Sequence, residues 1–329
     1  MTRLPLSFAA VNYDRFRALE DGRVTAEGID LNFVPLPVEE IFYRQVTYRE
    51  FDVSEMSLSS YVLTLNDESP PFIALPAFPS RYFRHQTMFI NERSGITTPE
   101  DLRGKRIGVP EYQITAAVWQ RGMLQDQYGV HPRDVEFFSG GVEETGRVEK
   151  IAIHLPEDVS LQPIRADQTL SRMLTDGDLD ALFTAHVPSC YYEEEHIVRL
   201  FPNYKEAEKE YFATTGIFPI MHVVVIKRDV CERNPWIARS LMKAFEKALQ
   251  AAKDDLMYRS SFKVMLPWLV DHIEETVESL GEDYWPYGVE PNRPVLDTFL
   301  RYSHEQGLAG QRWQPDDIFV ESASSSYKL

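Results

Sequence analysis

Strand-like and helix-like runs alternate in two separate series along this 329-residue chain, and that doubled alternation limits the folds open to it. The first series has strands at LPLSFAAV (4–11), IDLNFVPL (29–36), DVSEMSL (52–58) and FIALPAF (72–78). A helix is expected in PVEEIFYRQVTYREF (37–51), where Pro37 and the following acids mark a helix start, and another opens at SSYVLTL (59–65). Segment 12–28, polar with two glycines, reads as a connection. The pattern restarts near Thr97, with a strand at KRIGV, a helix over 113–130 closed by Gly129, a strand at DVEFFSGG (134–141) and a helix–turn–strand over 169–185. Segments 234–256 and 292–308 have helical period.

Strands alternating with helices imply an α/β fold of wound sheets. Two such series in a chain of this length imply two units. HQTMFIN (85–91) and FPIMHVVVIKRDV (218–230) read as strands crossing between them. The expected division is 1–91 plus 220–329, with C-terminal helices, against 92–219. In wound folds ligands gather at the carboxyl ends of strands and in clefts between domains, so an interdomain cleft is the expected site.

Hydrophobic content of 43% and charged content of 26% suit a globular protein. The longest apolar run, Phe218–Ile226, is interrupted by His222 and falls far short of the ~18 residues needed to span a bilayer. No signal peptide is read at the N-terminus, and Cys190 and Cys231 stand far apart without a CxxC, which fits a reducing cytoplasm. A net charge of −17 argues against nucleic acid or an anionic membrane as partner, and any cation holding an anionic ligand must be local. There are no repeats, and a short Ser-rich tail lies at 322–326. GxxxxGK[ST], GxGxxG, HExxH and GxSxG are all absent, so no cofactor is expected.

Chemistry concentrates in four places. In FDVSEMSLSSYV (51–62), Ser54, Glu55 and Ser57 crowd a strand end where a purely apolar strand would leave no partners for them. FPSRYFRHQ (78–86) sets Arg81, Arg84 and His85 after a strand, and arginine suits bidentate carboxylate binding. GVPEYQITAAVW (108–119) puts Tyr112, Gln113 and Thr115 at a helix start, where backbone N–H groups attract anions. His222 precedes the buried run VVVI, and His186 follows the strand end ALFTA. Each has a plain structural alternative: a solvated arginine loop, a capped helix entry, a core histidine. A metal held by Glu55, His85 and His222 is a further alternative, though no metal is assigned.

FDVSEMSLSSY, FPSRYFRHQ, DLRGKRIGVPEYQITAAVW, TGIFPIMHVVVIKRDV and WPYGVEPNRPVLDTFLRYSHEQGL together resemble the 4,5-dihydroxyphthalate decarboxylase family, across residues 4–310. The resemblance implies a cytoplasmic, two-lobed relative of the type 2 periplasmic binding proteins. It also implies non-oxidative loss of CO2 from a dihydroxylated aromatic dicarboxylate by protonation of the ring. Such a site needs cations for two carboxylates, an acceptor near the hydroxyls and an acid aimed at a ring carbon. Arg81 and Arg84, with Tyr112 and Thr115, suit the first, Glu55 and its serines the second, and His85 or His222 the third. The alternative is a binding protein or sensor for a small aromatic or heterocyclic anion, without turnover. The C-terminal helices leave room for a homo-oligomer.

Overall fold

The computed structural model describes residues 2–324, so positions 325 and 326 of the Ser-rich tail lie outside the described residues. The described residues form eleven strands: β1 (Leu4–Ala10), β2 (Ile29–Pro35), β3 (Val53–Ser57), β4 (Phe72–Arg81), β5 (Met88–Asn91), β6 (Arg106–Val109), β7 (Glu136–Ser139), β8 (Ser160–Pro163), β9 (Ala181–Phe183), β10 (Ile197–Arg199) and β11 (Ile220–Lys227). They make two sheets, ordered β2-β1-β3-β11-β4 and β10-β5-β9-β6-β7-β8. The chain divides into two compact units, Met1–Arg81 with Ile220–Asp297 and Gln314–Leu329, and Tyr82–Pro219 with Thr298–Trp313.

This division differs from the expected one at 82–91 and 298–313, which fall in the second unit. The reason is pairing. β5 runs antiparallel to both β9 and β10, and Gln306 bonds the Arg121 side chain and the Val118 carbonyl.

In the first unit β1 is parallel to β2 and β3, whereas β11 is antiparallel to both β3 and β4. β11 ends at Lys227, and the rest of the expected run, from Arg228, turns into a helix. Val223 to Ile226 are fully buried, as a strand covered on both faces should be. Segment 12–28 contains an unexpected helix, α1 (Asp14–Glu20). Its Phe16 packs on Phe8 of β1 and on Phe245 of the helix Trp236–Met257. Seven residues show too little of a helical period to be read alone, so tertiary burial makes this helix. α2 (Val38–Tyr48) and α3 (Leu58–Thr64) follow their strands, and Ser57 caps α3 by accepting the Ser60 N–H at 3.4 Å.

β4 and β11 lose register beside His222. Ser80 opposes His222 but Leu75 opposes Val224, so Pro76–Pro79 bulge away from the ladder. Proline has no N–H to give the neighbouring strand. The bulge carbonyls are taken elsewhere: Pro76 by the Gly288 N–H at 2.7 Å, Phe78 by Trp285 Nε1 at 2.9 Å and Pro79 by Arg15. Bulges of this kind re-aim side chains next to functional sites.

In the second unit, β6 is parallel to β7 and β9. α4 (Thr115–Tyr128) follows β6 and is closed by Gly129 at φ 62°, a conformation few other residues adopt cheaply.

Candidate active site

Residues opposite one another in a sheet point to the same face, and His222 opposes Ser57 on one side and Ser80 on the other. A polar row, Ser57–His222–Ser80, therefore crosses β3, β11 and β4. Glu55, two residues before Ser57, shares that face. Its carboxylate is completely buried and accepts three donors. His222 Nδ1 lies 2.6 Å from Oε1, the Tyr13 hydroxyl donates to Oε1 at 2.8 Å, and the Val11 N–H donates to Oε2 at 3.1 Å. The last bond exists because β1 leaves its ladder at Ala10, freeing the next N–H to turn toward the carboxylate.

The His222 side chain is 17% exposed. Its ring meets Phe42 of α2 edge to face at 4.9 Å between centroids. With Nδ1 committed to Glu55, Nε2 is the nitrogen left for chemistry, and the carboxylate holds the ring in one orientation. Tyr13 also hydrogen-bonds Ser80; burial and the neighbouring Glu55 push its phenol above its ordinary value, so it stays a donor. The Arg15 guanidinium stacks 3.8 Å from the Tyr13 ring centroid and 4.7 Å from that of Trp285.

The other expected residues are placed as follows. Ser54 immediately precedes Glu55 in β3, so its side chain faces the opposite side of the sheet from Glu55; it is buried. Arg81, next to Ser80, is buried and donates to the Pro286 carbonyl at 2.9 Å and to Asn292; burial lowers its guanidinium to about 9. In the second unit, Arg84 donates to the Ala185 carbonyl at 2.9 Å and is lowered by burial to about 10. His85 is 2% exposed and packs edge-on against Phe201 and Tyr211. Burial lowers its imidazole to about 4, which keeps it neutral.

Tyr112, Gln113 and Thr115 do gather at the start of α4, but an internal anion already sits there: the Glu149 carboxylate accepts the Tyr112 and Gln113 backbone N–H groups. Burial pushes that carboxyl up to about 7. Gln113 donates to Glu111 at 2.9 Å, and the Tyr112 ring lies beneath Arg121. Although burial alone would raise it, Lys150 and Arg147 hold the Glu111 carboxyl below the usual range. His186 is exposed, its N–H 3.4 Å from the Thr184 hydroxyl.

Of the expected residues, Glu55, Ser57 and His222 are brought together. Tyr13, Arg15 and Ser80 complete the cluster, and sequence reading passed over them. The available signal was position: Tyr13 and Arg15 directly follow the end of the first parallel strand, where ligands in such sheets are met. Among the described residues, no group of three or more His, Cys, Asp or Glu side chains is arranged to hold a metal ion. No helix among them is long and apolar enough to cross a membrane.

Comparison with known proteins places this geometry in context. A curated 4,5-dihydroxyphthalate decarboxylase of Comamonas testosteroni is 40% identical over 330 residues, covering 100% of both chains. Another of that name from Pseudomonas putida is 47% identical over 191 residues, 58% of this chain and 74% of its own. The NMT1/THI5 like family model matches residues 82–153. Among solved structures, a putative periplasmic sulfonate-binding protein of Methylobacillus flagellatus superposes with a TM-score of 0.53 at 14% identity, covering 97% of this chain and 92% of its own. The periplasmic aliphatic sulphonate binding protein SsuA from Escherichia coli gives 0.52 at 11% identity, covering 98% and 99%. These likenesses establish a periplasmic-binding-protein fold.

Proposed function

The chain belongs to the 4,5-dihydroxyphthalate decarboxylase family, and from that premise we propose that His222, oriented by Glu55, supplies the proton that replaces the departing carboxylate. The protein is a carboxy-lyase, converting 4,5-dihydroxyphthalate to 3,4-dihydroxybenzoate and CO2. When CO2 leaves, the electron pair of the broken C–C bond stays with the ring, so the ring carbon must gain a proton. A hydroxyl para to that carbon pushes electron density toward it. As His222 Nε2 delivers its proton to the carbon, the para hydroxyl shares its lone pair with the ring, which becomes a protonated dienone. Cleavage of the C–C bond returns its electron pair to the ring and restores aromaticity, with the para hydroxyl keeping its proton throughout. The sum is one carboxylate and one proton giving C–H and CO2, with the ring itself serving as electron sink.

The observation that carries this reading is the 2.6 Å contact between His222 Nδ1 and a wholly buried carboxylate. A carboxylate so placed stabilises the imidazolium that must form before each turnover and fixes Nε2 as the donor. Glu55 thus acts as a positioning residue, because its oxygens are already engaged by Val11, Tyr13 and His222. Ser57 and Ser80, beside His222 on the same face, suit the catechol hydroxyls. His85 is not used: its buried, neutral ring is a poor acid. Arg81 and Arg84 are assigned structural roles, since each donates to backbone carbonyl groups. The free, buried thiols of Cys190 and Cys231 support a cytoplasmic setting.

The test is turnover. Wild-type protein given 4,5-dihydroxyphthalate should release CO2 and 3,4-dihydroxybenzoate in equal amounts. Binding without CO2 release would reduce the protein to a receptor and end this reading.

A further inference from the structure

Resting on the decarboxylase reading, the geometry points to Arg15 and Tyr287 as the subsite for the carboxylate that remains on the ring. Arg15 Nε donates to the Pro79 carbonyl. Pro79 immediately precedes Ser80, the cross-strand partner of His222, so the guanidinium is anchored one residue from the proposed acid's neighbour. The rings of Tyr13 and Trp285 flank it and fix its plane. Nη1 meets Asp14 at 3.0 Å, and the side chain remains 15% exposed. That leaves Nη2, on a planar fork held in one orientation, to receive a carboxylate oxygen.

A second, independent feature lies on the segment that carries Trp285. The Tyr287 hydroxyl is buried and has no hydrogen-bond partner among the described residues. It stands in the chain between Trp285, whose ring flanks Arg15, and Gly288, whose N–H takes the Pro76 carbonyl of the same bulge. A buried hydroxyl without a partner is costly, and an incoming carboxylate oxygen would relieve it. An arginine fork and a phenol donor beside the His222 cluster make a recognition element for one carboxylate on an aromatic ring, flanked by aromatic walls.

Two ligands that differ only in this carboxylate, 3,4-dihydroxybenzoate and catechol, test the assignment by titration calorimetry. Wild type should bind 3,4-dihydroxybenzoate about tenfold to a hundredfold more tightly than catechol, the range of a charged hydrogen-bonded contact. Arg15→Gln should collapse that ratio, chiefly by weakening the binding of 3,4-dihydroxybenzoate. Arg15→Lys should keep part of it, and Tyr287→Phe, which removes only an oxygen, should reduce it with little change in melting temperature. A ratio that is unchanged in Arg15→Gln overturns the assignment even if wild type turns over. Loss of the ratio in Arg15→Gln, with no CO2 from wild type, upholds the subsite and rejects the decarboxylase reading instead.

Discussion

Glu55 Oε1 and His222 Nδ1 stand 2.6 Å apart, although 167 residues of chain separate them. Adjacent antiparallel strands bring them together, and the Tyr13 hydroxyl and the Val11 N–H hold the same carboxylate. A buried carboxylate without such donors would be strongly disfavoured; with three it is held in place.

His222→Asn should therefore lower kcat by a factor of ~10²–10⁴, the usual loss for a positioned acid, with little change in melting temperature. Glu55→Gln should also lower kcat, since an amide cannot stabilise the imidazolium, and should reduce thermal stability because three donors face the new group. Both quantities are to be measured on the same preparations. Near-normal kcat in His222→Asn would remove it as the acid.

Arg81→Ala should behave differently. Its bonds to Pro286 and Asn292 tie down the segment after the Trp285 ring, so its loss should cost stability, by ~1.5–3 kcal/mol in denaturant unfolding, the range for hydrogen bonds to charged groups. KM should stay close to wild type. A large rise in KM with an unchanged melting temperature would instead make Arg81 a substrate contact.

Exhaustive chelation should leave turnover intact, because the para hydroxyl and the ring supply the electron sink. Activity lost to a chelator and restored by one divalent ion would recast Glu55 and His222 as metal ligands.

Glu208 gives a pH signature. Burial, only partly offset by Gln86 and the charges of Arg84 and Arg199, pushes its carboxyl up to about 7. In the unfolded chain the same group titrates near ~4.3. The folded state therefore binds the proton more tightly, and the stability this group contributes falls as pH rises between those two values. Glu208→Gln should raise the melting temperature at pH 8 and give a clearly smaller gain at pH 5. Equal gains at both would show that the charge is not the cause.

Much of the frame was legible in the chain itself. Alternating strands and helices, the Thr97 restart and the apolar run after His222 pointed to an α/β fold of two units, because periodicity and turn chemistry are local properties. Glu55 and His222 stood out for the same reason: a carboxylate and a histidine in strands otherwise bound for the core call for a partner. What the chain could not reveal was which partner. The choice of His222 over His85 rests on burial, which leaves one imidazole partly exposed on a carboxylate and the other neutral among Phe201 and Tyr211. Tyr13 and Arg15 read as a polar connection until α1 packed on β1 and the Pro76–Pro79 bulge offered its carbonyls. The α4 N-terminus read as an anion site, but the N–H groups of Tyr112 and Gln113 just before it are taken by Glu149 of the same chain. Register, burial and the pairing of distant charges depend on contacts between residues far apart in sequence, and those are decided only when the sheets are assembled.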